Sequence, residues 1–281
     1  MKRRTALGLM ATAPLAAACS VEVEVETGER LTLDPSNEDD LYLIHRKVNY
    51  TFDDQPVFWY IEAVRYGLVD SVFTPFWNMH VGFLFTVEDT GEFAFKANQL
   101  SAIFYSDLKT GELLQTFNNP FNGAETPVKQ PPLIRGSIQF DKYGQVREMR
   151  EIPGSEVTSS QRIGPAWIIG DDVWVHGDTW FRAQPTGDEG QLIQVNDWST
   201  YHASLEEVAN PSVGNAAATM NFNDVNTWPA WLNMGGQPGN YVSRGFGRKV
   251  ASGDAMPAQW RRFMQAQHPD EFADLVGAIK G

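Results

Sequence analysis

Cysteine occurs once in this chain, at Cys19, so no disulfide can form within one molecule and the fold must rest on its core. Basic residues are also scarce. The 22 Lys and Arg stand against 35 Asp and Glu, a formal net charge of −13, and no basic block occurs. That balance argues against nucleic acids and anionic membrane surfaces as partners and says little about a neutral or phenolic ligand. No phosphate loop is present, since Gly245–Val250 (GFGRKV) lacks a strand-to-helix context. There is no Gly-x-Ser-x-Gly elbow, no HExxH and no His-x-His pair. A flavin or nicotinamide cofactor is therefore not expected, and the reading is of no cofactor at all. The five histidines, at 45, 80, 176, 202 and 268, are scattered, so three converging metal ligands are not indicated. A metal bridging His176 and Asp178 stays open.

Apolar runs long enough to cross a bilayer are missing too. The stretch Thr5–Ala18 is short and follows Met1-Lys2-Arg3-Arg4, the pattern of an export signal at residues 1–18. Arg3-Arg4 resembles a twin-arginine signal. Ala16-Ala17-Ala18 leads into Cys19, which fits a bacterial lipoprotein whose thiol takes the lipid, or a plain signal peptide whose product begins with Cys. The expectation is a periplasmic protein tied to the envelope through Cys19, with no other membrane contact. Residues 19–37 read as an acidic tether with a first edge strand, and residues 38–281 as a single domain.

Aromatic rings are abundant: nine Trp, 17 Phe and eight Tyr, 12% of the chain, beside a hydrophobic content of 42% that suffices for a full core. The excess points to an aromatic-walled cavity or to a core built from rings. Strand-like segments follow one another at Tyr42–Phe52, Val57–Val69, Val81–Val87, Phe93–Ser106, Glu112–Phe117, Ile134–Phe140, Val173–Ala183 and Gln191–His202. Turn sequences such as EDTGE, DKYGQ and QPTGDEG separate them. Residues 150–170 read as irregular. The spacing predicts a mainly β fold, an antiparallel barrel or strongly curved sheet, with a C-terminal helix over Pro257–Ile279 packed against it as a lid or plug.

Two longer phrases carry a family resemblance. Tyr105–Val128 (YSDLKTGELLQTFNNPFNGAETPV) and Phe222–Val250 (FNDVNTWPAWLNMGGQPGNYVSRGFGRKV) are similar to the two signatures of an uncharacterised family of exported bacterial proteins, catalogued as domain of unknown function 1838. The chain departs from that pattern at Asn118-Asn119, where members more often carry Trp before Asn-Pro. The resemblance implies an exported context and no particular reaction. Its members' occurrence in bacteria that degrade aromatic compounds is an association only.

One strand concentrates chemistry. In Asp171–Arg182, Val173, Val175, Gly177, Thr179 and Phe181 share one face and Trp174, His176, Asp178, Trp180 and Arg182 the other. Two indoles on an outer face are costly unless covered, so the second face is expected to line an internal cavity. There His176 acts as the base, Asp178 keeps it basic, Arg182 holds a phenolate or carboxylate, and Trp174 and Trp180 supply the walls. On the next strand Asp197, Ser199 and Tyr201 share one face and Trp198, Thr200 and His202 the other. Tyr201 is read as an oxyanion donor or proton relay and His202 as a binding residue. Trp77 and His80, placed at a loop-to-strand corner, and Trp228 and Trp231 in a loop of helical spacing, complete the binding set. Glu62 is either an exposed residue or a buried acid.

These residues suit a cofactor-independent lyase or isomerase acting on a small hydrophobic, phenolic molecule. One version is loss of formaldehyde from the side chain of a lignin-type aromatic dimer. They equally suit an envelope lipoprotein that carries an apolar ligand without chemistry, and an oligomer is compatible with either.

Overall fold

The computed structural model describes residues 31–142, 147–149, 155–186 and 192–280. The export signal, Cys19 and most of the tether lie outside the described residues. Twelve strands lie among the described residues: β1 (Val57–Val69), β2 (Val72–Gly91), β3 (Ala94–Ser106), β4 (Thr116–Asn118), β5 (Glu125–Pro127), β6 (Ile134–Asp141), β7 (Arg147–Met149), β8 (Ser155–Ile169), β9 (Asp172–Pro185), β10 (Ile193–Ser204), β11 (Ala218–Asn226) and β12 (Asn240–Val250). Ten of them form one strongly curled antiparallel sheet, a half-barrel, in the order β7-β6-β3-β2-β1-β12-β11-β10-β9-β8. The chain runs from the centre of the sheet to one edge, then returns from the other edge to the centre, where β12 pairs with β1. The mainly β, antiparallel, strongly curved expectation holds.

Local chemistry sets the hairpins. Val69 pairs with Val72, so Asp70 and Ser71 alone make the β1–β2 turn. Both have positive φ, 50° and 66°, as a two-residue turn matching the sheet's twist requires. At the centre, a side chain at Gly245 would meet the Glu62 carbonyl oxygen at 2.3 Å and the Ala63 Cβ at 2.4 Å. Its missing side chain lets β12 press onto β1 where the sheet curls.

The first helix corrects the sequence reading. Residues 42–52 are not a strand: α1 spans Glu38–Asn49, and residues 31–37 form no edge strand. Asn37 caps it by accepting from the Asp39 and Asp40 amides at 2.9 and 3.2 Å. Three acids fill its first turn, and Arg46 and Lys47 its last, both placed favourably for the helix dipole. The Lys249 ammonium closes the other end, donating to the carbonyls of Lys47 (2.8 Å), Tyr50 (2.7 Å) and Ala216 (3.2 Å) and to Asn215 Oδ1 (2.7 Å). Tyr42, Ile44 and Val48 pack into the inner core with Trp59, Ile61, Phe85, Phe95 and Val175. Residues 155–169, read as irregular, are strand β8, whose register shifts between Ile163 and Ala166 around Gly164-Pro165. That interruption, with a polar Ser-Glu-Val-Thr-Ser-Ser-Gln start, hid the alternation.

A short helix, α2 (Leu205–Ala209), links β10 to β11, and the C-terminal segment forms α3 (Ala258–Gln267), α4 (Pro269–Ala273) and α5 (Leu275–Lys280). The last three do not plug the barrel. They pack on the outer face of β1–β3, where Trp260, Phe263 and Met264 bury against Phe58, Tyr60, Leu84, Leu100 and Phe104. Gly82 makes room: a Cβ there would lie 2.5 Å from the Trp260 ring, whose Nε1 donates to Ala102 O at 3.2 Å. The sheet therefore has a core on each face, and its outer face over β8–β11 carries no helix among the described residues.

Candidate active site

Register carries one polar row across the inner face. Gln161 pairs with Thr179, Thr179 with Asp197, and Asp197 with Asp224. Asp224 then pairs with Ser243, Ser243 with Arg65, and Arg65 with Trp77. Residues directly opposite in neighbouring strands point the same way, so this row lies on the concave side.

The two carboxylates in it have different partners. One terminal nitrogen of Arg65 donates to both Asp224 oxygens, at 2.7 and 2.8 Å, and both residues are buried, at 7% and 3% exposure. The guanidinium also lies over the Tyr241 ring, 4.5 Å from its centre. Asp197, one strand away, receives a hydrogen bond only from Ser199 Oγ, at 2.8 Å, among the described residues. Burial pushes its carboxyl up to about 7, and the Asp224 and Asp178 charges add to this, against the Ser199 hydrogen bond and Arg65.

Asp197 opens into a cavity of about 130 Å³. Trp59, Tyr50, Phe83, Phe85 and Ile138 give it apolar walls, and Gln99, Gln161, Thr179 and Tyr201 add polar groups. An apolar cavity of roughly 150 Å³ takes up benzene, so this one fits a single aromatic ring. Tyr201 meets Trp59 edge-on, ring centres 5.5 Å apart, and sits over Gly177, where a Cβ would lie 3.0 Å from its ring. Burial and the Asp197 charge push the Tyr201 hydroxyl well above its ordinary value, so it remains a donor at neutral pH. Trp59 Nε1 donates to Asn49 O at 3.0 Å, which leaves the indole held in place. Asn49 Oδ1, buried at the cavity wall, has no hydrogen-bond partner among the described residues.

The expected wall on β9 lies elsewhere. Val173, Val175 and Phe181 face the inner core at 0%, 0% and 4% exposure, so Trp174, His176, Asp178, Trp180 and Arg182 are on the outer face. Two indoles are tolerated on that face because Trp174 and Trp180 are each only partly exposed and Trp174 stacks across strands. Trp174 packs on His202 with ring centres 4.5 Å apart, and Trp167 on His176 at 4.6 Å. Asp178 pairs with Arg162 at 2.7 Å, Arg182 bonds Gln184, and His202 Nε2 meets Asp172 Oδ1 at 2.8 Å. The strand brings Tyr201 to the inner cavity and His202 to the outer face, so they do not join one wall.

Trp77 and His80 sit inside β2, not at a corner, on opposite faces. Trp77 is fully buried, stacked on Trp231 at 5.4 Å and edge-on to Phe117 at 4.8 Å. Trp228 packs on Phe76 and Phe121, and a short 3-10 turn at Ala230–Leu232 carries Trp231. These three tryptophans anchor the loop to the inner core. His80 Nδ1 bonds the Tyr60 hydroxyl and its Nε2 bonds Ser106 Oγ, each at 2.9 Å, beneath Phe263. Burial lowers its pKa to about 4, so the ring is neutral and structural in this setting. Glu62 is exposed.

Sequence reasoning grouped Asp197 with Ser199 and Tyr201 but passed over Asp197, and it missed Arg65, Asp224, Trp59 and Asn49. Asp224 had a signal: it continues the inward series Ala218, Met220, Phe222, so an acid falls on a core-facing position. Among the described residues no group of three or more His, Cys, Asp or Glu lies close enough to hold a metal, and no helix is long and apolar enough to cross a membrane. The chain matches no protein-family profile and no curated protein sequence.

Proposed function

We propose that the inner cavity is the active site of a cofactor-independent lyase or isomerase, with Asp197 as the acid or base and Tyr201 as the donor to a developing oxyanion. The observation that carries this is the unequal pair of neighbouring carboxylates. Asp224 is neutralised by Arg65, whereas Asp197 faces an aromatic cavity with a serine as its partner. A carboxyl that burial raises to about 7 at the wall of a cavity is placed to take and give a proton. The walls suit one phenolic ring, and the fit of a single ring narrows the substrate from an aromatic dimer held whole to one whose reacting ring enters while the rest stays at the mouth.

In the formaldehyde-releasing version, a benzylic substituent departs as the phenol loses its proton, giving a quinone methide. The Asp197 carboxylate then takes the proton of a neighbouring primary alcohol. Its carbon–carbon bond breaks, formaldehyde leaves, and the electron pair restores the aromatic ring. The test is incubation of the purified protein with phenols bearing a benzylic hydroxyl and, on the adjacent carbon, a hydroxymethyl group, with formaldehyde read colorimetrically and aromatic products by chromatography. Turnover is expected, and Tyr201→Phe should lower it about ten- to a hundredfold with the substrate still bound. If none of these phenols alters the fluorescence of Trp59, which lines the cavity, the assignment fails. Binding without conversion would instead leave a carrier of apolar ligands.

We also propose an envelope location through lipid on Cys19. Cys19→Ser should move the protein from the membrane fraction to the soluble periplasm, and a wild type already soluble there would rule out the anchor.

A further inference from the structure

The outer face over β9–β12 holds a second recess that the catalytic reading does not use. It is a cleft of about 460 Å³ between Pro257, just before α3, and Trp174 on β9. Its size falls within the range of small-molecule sites. Register sets its floor. Trp174 pairs with His202, His202 with Thr219, Thr219 with Arg248, and Arg248 with Tyr60. Beside that row, Asn221 pairs with Phe246, and Phe246 with Glu62.

Three features define what fits. First, two rings face the cleft: Trp174 is half-buried and Phe246 is 64% exposed. An exposed ring at the rim of a cleft offers a flat apolar surface to a ligand. Second, charge is balanced. Glu62 and Arg248 are both exposed and both act on Tyr60, yet no ion pair joins them among the described residues. A ligand of either sign would leave one of them opposed. Third, Thr219 and Asn221 stand between the charged and aromatic residues, and each both donates and accepts.

We propose that this cleft binds a neutral saccharide. A sugar ring has an apolar C–H face for Trp174 or Phe246 and a rim of hydroxyls. Those hydroxyls donate to Glu62, accept from Arg248 and do both with Asn221. The chain's net charge of −13 disfavours an acidic glycan. Trp198, 45% exposed, and Trp167, 41% exposed, continue the ring-bearing surface beyond the cleft on the same face. Trp167 lies directly opposite Trp174 on the neighbouring strand, and Trp198 stands beside Asp178 and Thr200 beside His176, so rings and polar groups share this face. A glycan of several units can stack on these rings in turn while its hydroxyls meet the polar residues beside them.

The test is calorimetric titration of the mature protein with cellohexaose, xylohexaose, laminarihexaose and chitohexaose, beside their trimers. At least one hexamer should bind, more tightly than its trimer. Trp174→Ala and, independently, Phe246→Ser should each weaken that binding about tenfold or more. Phe246 is exposed, so its variant keeps the fold even if Trp174→Ala does not. Binding of none of the four sugars, or binding that both substitutions leave unchanged, overturns the proposal. So does sedimentation showing a dimer that Phe246→Glu dissociates, which would make the face a subunit interface. Loss of phenol turnover with saccharide binding intact would bear on the inner cavity alone.

Discussion

Asp197→Asn is expected to remove nearly all turnover while making the protein more stable at neutral and alkaline pH. Asn keeps the shape of the protonated carboxyl and can accept the Ser199 hydrogen bond, but it cannot take or give a proton. Loss of a general acid or base costs about 100- to 10,000-fold in rate. The stability gain follows from linkage. The Asp197 carboxyl lies near 7 in the folded protein, against an ordinary value of 3.8. Between those values the unfolded chain has lost a proton that the folded chain keeps. Unfolding therefore releases a proton, and stability falls as pH rises through that window, then levels above about 7. The Asn variant lacks this loss. Denaturant titrations should show it about 1–3 kcal/mol more stable than wild type near pH 8 and equal to it near pH 4. The wild-type rate should carry a limb near pH 7. An Asn variant that is active, or one that is less stable at high pH than at low, would remove Asp197 from the mechanism.

Much of the fold was legible because strands announce themselves locally. Val57–Val69 is a nearly continuous apolar run bounded by turn residues, and β1 has those bounds. The break at His268-Pro269 in the C-terminal helix was likewise visible as chemistry. Helix α1 was not, because Tyr42, Ile44, His45, Arg46, Lys47 and Val48 are all buried, so no polar face marks a helical period. Its start was signalled by Asn37, which read as the end of the tether, and by the acids Glu38, Asp39 and Asp40 directly after it. The site was harder, for a physical reason. Period two divides a strand into two faces but does not say which face is inside. On β9 the richer face was taken as interior, yet the plain face of Val173, Val175 and Phe181 fills the core. On β10 the same ambiguity separated Tyr201 from His202. The Arg65–Asp224 pair joins residues 159 apart in sequence through a register set at the sheet's centre, and nothing local to either residue announces it.

That pair gives the second large effect. Arg65→Met should destabilise the protein by about 3–5 kcal/mol, since it leaves the Asp224 carboxylate buried without its cation. Arg65→Met combined with Asp224→Leu should recover most of the loss, because removing both charges leaves no buried orphan. The same pair tunes the site. Asp224 pushes the Asp197 carboxyl up and Arg65 pulls it down, both after burial, the first cause. Asp224→Asn removes the like charge and leaves the Arg65 cation uncompensated, and both changes favour ionised Asp197. The limb of the pH–rate profile should then move to lower pH by about one unit, with the rate above it kept. In the doubly substituted protein the limb should stay close to its wild-type position, since burial, the first cause of the shift, is unchanged. A profile that Asp224→Asn leaves in place would mean that another group sets the limb, and the unequal carboxylates would then be a matter of stability alone.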